Sequence, residues 1–408
     1  MKHTLLIALS LLAASCAHRG EPLPVTVSNP LEADRTNEIV ELSIKDVRKR
    51  MKVSDTASVV VTDGLRQLPQ QLTHDGKLIF PVSIKAKESN TYLIIPGTPD
   101  SIPTKACGRM YPERLEDIAW ENDLVGFRAY GPALQARGER GYGYDLFTKR
   151  GTDRPVVEQM YALETDKAAW KRINAVRKSN PELAARMIDT ISYHKDHGFG
   201  MDCYAVGPTL GAGVAALMYE GEIVYPWCYQ SYEILDNGPL RFTVKLVFGP
   251  TQVGDDSEVI ETRIITLDAG SHFNKTSVNY ANLSKPCPIV TGIVLHDRSG
   301  ATVTNATEGY MAYEDPTTGP GQGIIYLGHA FAQEINRAEV CHFSPEEKQR
   351  RNNAEGHVLA FAEYTPESTF TYHWGFAWNQ ADIHSMEEWN EHLSHYAQTL
   401  KQPLEVTY

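Results

Sequence analysis

Between residues 240 and 248 the chain alternates. Leu240, Phe242, Val244, Leu246 and Phe248 are apolar, while Arg241, Thr243 and Lys245 intervene and Val247 is the one lapse. A period of two is the mark of a strand with one buried face. Similar signals recur at 59–61, 78–80, 92–95, 262–267, 277–281, 289–296, 323–327, 357–364 and 369–376, separated by Gly-Pro, Asp-Gly and Asn-Gly turns. Strands that follow one another without helices between them predict antiparallel sheets, packed as a sandwich. Two stretches break this rhythm. Residues 158–191 are rich in helix formers, with an interruption at Ser179-Asn180-Pro181, where Pro suits a first helical turn. Ser385 and Glu388 form a capping-box pattern ahead of Met386, Trp389, Leu393, Tyr396 and Leu400, an apolar stripe at helical spacing.

The N-terminus departs from both patterns. A basic start, the apolar run Leu5–Leu12 and small residues before Cys16 have the form of a secretory signal ending in a lipoprotein-like box. The run is too short to span a bilayer core of about 30 Å. The expected organisation is a signal over 1–15, lipidation at Cys16, a proline-containing tether over 16–38, and one large β-sandwich domain over 39–408 carrying the helical insert 158–191. Such a protein is exported and reaches the membrane only through its lipid anchor, in the periplasm or at the outer membrane. Five cysteines remain beyond Cys16, so at most two disulfides can form, and their pairing cannot be read from spacing.

With 51 acidic and 39 basic side chains the 408-residue chain has a formal charge of −12, which argues against a nucleic-acid partner. Its 20 Tyr and 6 Trp suit stacking on flat ligands such as sugars, or simply tyrosine-rich strands.

Three clusters carry candidate chemistry. In the first, 120–132, one extended strand would place Asn122, Arg128 and Tyr130 on a common face, with Arg128 among apolar or small neighbours. An enclosed Arg needs an anion, which a substrate carboxylate or an internal Asp or Glu would supply. The second cluster, 193–213, holds five glycines and a proline from 198 onward and reads as a loop with little core to fill. It carries His194, His197, Asp202 and Tyr204. A bare His-x-x-His completed by Asp202 is a weak metal signal, so no cofactor is expected, although a divalent metal stays open. Acid–base chemistry by imidazole and phenol is the preferred reading. The third cluster joins His329, at a strand end, to His373, Trp374 and Trp378, with the turn 314–323 between them as a possible overhang. Trp374 and Trp378 fit either core or a sugar platform.

These residues resemble a known family. Trp-Glu-Asn-Asp leading to Phe-Arg-x-Tyr-Gly-Pro-Ala, the loop His-x-x-His-Gly-x-Gly-x-Asp-x-Tyr-x-Val-Gly-x-Thr-Leu-Gly, and the closing Tyr-x-Trp-Gly-x-x-Trp are similar to motifs of secreted bacterial proteins labelled domain of unknown function 4861. The resemblance runs from about residue 40 to the C-terminus. It implies an antiparallel β-supersandwich of the galactose-mutarotase type, and similarity to a dehydratase of ulvan oligosaccharides. Such a reaction eliminates across C4–C5 of a uronic acid in acidic oligosaccharides. It would use Arg128 and Asn122 on the carboxylate, His194 or Tyr204 as base, and His329 or His197 as acid. Trp120, Tyr130 and Trp374 would hold sugar faces, with Asp202 and His373 also contacting substrate. Two alternatives stand beside this reading. One is a glycoside hydrolase or epimerase on the same scaffold. The other is a non-catalytic glycan-binding surface lipoprotein. The net negative charge weighs against an acidic substrate unless the cleft is locally basic.

Overall fold

The computed structural model describes residues 20–151 and 154–408, so the signal region and Cys16 lie outside the described residues. Every pairing between its strands is antiparallel. The alternating segment becomes the strand Arg241–Phe248, in which Phe242, Val244 and Leu246 are fully buried. It lies in a nine-stranded sheet that also contains Asp256–Asp268, Phe273–Ala281, Phe370–Trp378, Ile325–Ala330 and Tyr310–Asp315. A five-stranded sheet is built around Cys287–Leu295 and Gly356–Tyr364. A third sheet of four strands runs in the order Tyr144–Phe147, Gly126–Ala129, Asp117–Glu121 and Cys107–Tyr111. Side chains from all three meet in one large core. The molecule is thus a mainly β, antiparallel sandwich with a C-terminal helix.

Both helical regions form where the pattern places them. The insert is three helices, Val157–Glu164, Lys167–Val176 and Pro181–Asp189, and the Asn180 side chain caps the last. The final helix, Met386–Lys401, buries Trp389, Leu393 and Ala397 against the nine-stranded sheet. Ser385 caps it at Glu388 N, but the Glu388 carboxylate reaches back to His384 N rather than to the cap residue.

The tether expected over 16–38 ends early. Leu23–Ser28 is a strand whose Val25 and Val27 are fully buried, and Arg35–Ser43 is another. The alternation Leu23, Val25, Val27 outweighs the neighbouring prolines, because Pro24 leaves the strand's buried face intact. With Ser89–Pro96, Val59–Thr62, Lys77–Ile84 and the C-terminal strand Glu405–Thr407, these strands enclose a separate hydrophobic core. All five cysteines among the described residues are free thiols.

Candidate active site

The four-stranded sheet ends at a cleft of about 570 Å³. Its strands set the floor. Arg128 and Asp145 are direct cross-strand partners, and Asp117 begins the next strand. Around them pack Arg114 from the turn Pro112–Arg114, Tyr130, and the 193–213 loop with Tyr193, His194, Asp202 and Tyr204. Arg140, Arg350 and Asn352 complete the wall.

The loop is built differently from the expectation of little core. Met201, Cys203, Tyr204, Val206 and Leu210 are all buried and join the main core. Glycine makes this possible: at Gly200 the backbone has φ +116°, and a Cβ there would lie 1.8 Å from Thr148 O. Thr148 and Met201 can then exchange backbone hydrogen bonds (2.9 and 3.2 Å), which anchors the loop to the cleft floor. The 314–323 turn packs on this loop, with Thr318 N bonding Cys203 O at 3.1 Å, but none of its residues lines the cleft, so it is not the overhang expected.

Arg128 is the electrostatic centre. Its guanidinium pairs with Asp145, lies 3.3 Å from Asp202 Oδ2 and 3.9 Å from Asp117 Oδ2, and stacks over the Tyr130 ring at 4.7 Å. Burial opposes its charge most, but Asp145 together with Tyr130, Tyr161 and Tyr193 more than offsets it and holds the proton firmly. Burial pushes the Asp117 carboxyl up to about 6, partly offset by Arg128. It also raises Asp202 well above the carboxylate range, reinforced by the charge of Asp145. The internal-partner reading of Arg128 therefore describes this structure, and a free guanidinium awaiting a substrate carboxylate does not. Nor are its neighbours merely apolar, since the extended strand expected from 122 to 130 is a hairpin turning at 122–125. Asn122 makes that turn, accepting from Leu124 N and Val125 N. Its amide is spent on Asp268 O and Ser271 O, so Asn122 is no carboxylate ligand.

His194 has a defined tautomer. Its Nδ1 lies 3.0 Å from Asp202 O, an acceptor only, so Nδ1 carries a proton and, in the neutral ring, Nε2 is the nitrogen with the lone pair. The side chain is 55% exposed and lines the cleft. Tyr204 also lines it, yet its hydroxyl is buried with no hydrogen-bond partner among the described residues. Burial, then the charge of Asp315, keeps that phenol protonated. Tyr130 donates to Asp145 at 2.9 Å.

Several expected site residues lie elsewhere. Trp120 and Trp374 are fully buried; Trp374 stacks on Tyr144 at 4.4 Å, so neither presents a face to a sugar. His329 is sealed between Thr291 Oγ1 and Ala212 O, and burial depresses it to about 3, which removes it as a proton donor at neutral pH. His373 faces a second cavity, where Nδ1 meets Tyr396 OH at 2.8 Å. His197 is turned to Ser192 O, 3.0 Å away. Among the described residues no three His, Cys, Asp or Glu are arranged to hold a metal.

The structure adds residues that spacing did not reveal. Asp145 is a lone charge in the apolar run Tyr144–Phe147, a signal available in the sequence. Tyr193 OH bonds Arg114 and lies 3.3 Å from Arg128. Behind Tyr204, His296 bonds Asp315 at 2.6 Å, with ring centroids of His296 and Tyr204 5.4 Å apart. Burial lowers the His296 pKa, but Asp315 more than reverses this.

Similar proteins were found at three levels. An uncharacterized protein, P7, of Formosa agariphila is 24% identical over the whole length of both chains. Among solved structures, an α-mannosidase from Enterococcus faecalis V583 superposes with a TM-score of 0.49 at 9% identity, covering 95% of this chain and 46% of that one. An Enterococcus faecalis protein of glycosyl hydrolase family 38 gives 0.46 at 8%, covering 94% and 47%. The chain thus spans less than half the length of those two structures. A family model matches residues 27–406, beginning within the first buried strand, and the chain belongs to that family, the domain of unknown function DUF4861.

Proposed function

We propose that this protein is a carbohydrate-active enzyme that eliminates across C4–C5 of a terminal uronic acid in acidic oligosaccharides. The observation that carries the reading is the presence, in one cleft, of His194 with its Nε2 unbonded and a Tyr204 phenol without a hydrogen-bond partner, both among the described residues. In the reaction His194 Nε2 takes the C5 proton, the C–H electrons form the C4=C5 bond, and the C4–O bond breaks. The departing oxygen takes the Tyr204 proton, and solvent returns a proton from His194 to Tyr204. Charge spreading into the substrate carboxylate needs a fixed cation. Arg140 and Arg350 line the cleft and have no ion-pair partner among the described residues, unlike Arg128. Four arginines face three carboxylic acids there, so the cleft lining is locally basic within an acidic chain.

The test is ultraviolet absorbance of the unsaturated uronate during incubation with uronate-ended oligosaccharides. His194→Ala and Tyr204→Phe should each lower the rate about 10²- to 10⁴-fold. Full activity in both variants would refute the assignment. One observation favours hydrolysis instead: two carboxyl groups, Asp145 and Asp202, face the same guanidinium, and burial raises the proton affinity of Asp202. New reducing ends without absorbance would select that reading, and retention on a glycan column without turnover would select a binding protein. Export and lipidation at Cys16 complete the proposal, and Cys16→Ser should release the chain from the membrane fraction.

A further inference from the structure

The sugar platforms expected at Trp120 and Trp374 are core residues, but a different tryptophan is exposed. Trp227 is 48% exposed, while its neighbours Pro226 and Cys228 are buried. The chain is therefore pinned on both sides of an indole turned to solvent. A lone exposed indole needs no explanation. This one is grouped with Tyr142, 6.0 Å away, which in turn lies 5.6 Å from Tyr225.

The cluster is continuous with the cleft. Arg140 lines the cleft and has its guanidinium 5.9 Å from the Trp227 ring. Gln135, buried beside the cleft wall, donates to Gly141 O at 2.8 Å and reaches Trp227 O at 3.4 Å, tying the Tyr142 and Trp227 segments together. On the other side Arg351 stacks on Tyr225 at 4.0 Å and bonds the carbonyl of cleft-lining Pro208 at 2.6 Å.

We propose that Trp227, with Tyr142 and Arg140, forms a subsite for the sugar next to the reacting uronate. The C–H face of that pyranose packs on the indole, and Arg140 meets its anionic substituent between the two rings, which leaves Arg350 as the cation for the reacting carboxylate. The protein then selects oligosaccharides over single uronic acids. This inference rests on the elimination reading.

The experiment compares kcat/KM of the full chain on methyl uronosides with that on tetrasaccharides ended by glucuronate, iduronate or galacturonate. Wild type should prefer the tetrasaccharide. In Trp227→Ala the tetrasaccharide-to-monosaccharide ratio should fall about 3- to 10-fold, with Trp227→Phe retaining most of it. A ratio unchanged in Trp227→Ala, with elimination still measurable, would overturn the subsite and leave the reaction standing. No elimination from any substrate by the wild type would overturn the reaction and the subsite with it. Thermal melts of the two variants exclude misfolding as the cause of a fall.

Discussion

Arg128→Ala separates a structural cation from a substrate ligand. The Arg128 side chain is 6% exposed and faces Asp145, Asp202 at 3.3 Å and Asp117 at 3.9 Å. At an effective dielectric of about 20, a pair at these distances has a gross attraction of roughly 4–5 kcal/mol. Desolvation of the same groups offsets much of it. Removing the cation strands buried carboxylates, which costs about 3–5 kcal/mol in comparable cases. The loss should depend on pH. A carboxyl whose folded pKa is raised favours folding most below its unfolded pKa, and that contribution fades as pH rises through the folded value. Asp117, already near 6, and Asp202 would both move further up without Arg128. The gap between wild type and variant should thus be largest at about pH 7.5 and shrink toward about pH 5, by up to about 1.4 kcal/mol per pH unit for each carboxyl that protonates. Denaturant titrations followed by circular dichroism at both pH values measure it, with Arg128→Met as a control for lost packing. A gap below about 1 kcal/mol that ignores pH would refute the reasoning. A raised KM alongside such a result would return Arg128 to the role of substrate ligand.

Other perturbations follow from the same structure. Burial depresses His329, His357 and His373 to about 3, so each favours the fold above its unfolded pKa and opposes it as pH falls below about 6.5. Wild-type stability should therefore decline over that range, and His329→Gln should flatten the slope of denaturation midpoint against pH. Lys149 is fully buried with its Nζ 2.6 Å from Glu121, whose carboxylate also receives the Val156 and Val157 N–H groups at the start of the helical insert. Lys149→Met should cost about 3–5 kcal/mol, and hydrogen exchange should show the insert opening first. Ser385→Ala should cost about 1 kcal/mol through the lost cap at Glu388 N, read in the same denaturant titration.

What the sequence determined by itself was local and periodic. The two-residue alternation at 240–248, the turn punctuation and the apolar stripe of the last helix each bury a face whatever they pack against, so strands and helices were legible. The loop motif likewise marked His194, Asp202 and Tyr204, which share one cleft. Tertiary structure decided the rest. Arg128 could have faced a ligand or a carboxylate, and only the cross-strand register with Asp145 and the approach of Asp202 made it internal. Trp120, Trp374 and Trp227 look alike as residues, yet sheet packing buries the first two and leaves the third exposed beside Arg140 of the cleft wall. His329 reads as an acid until two sheets close over it. The physical reason is common to all three: exposure, partnership and proton affinity depend on groups distant in sequence, and the fold alone brings those groups within a few ångströms.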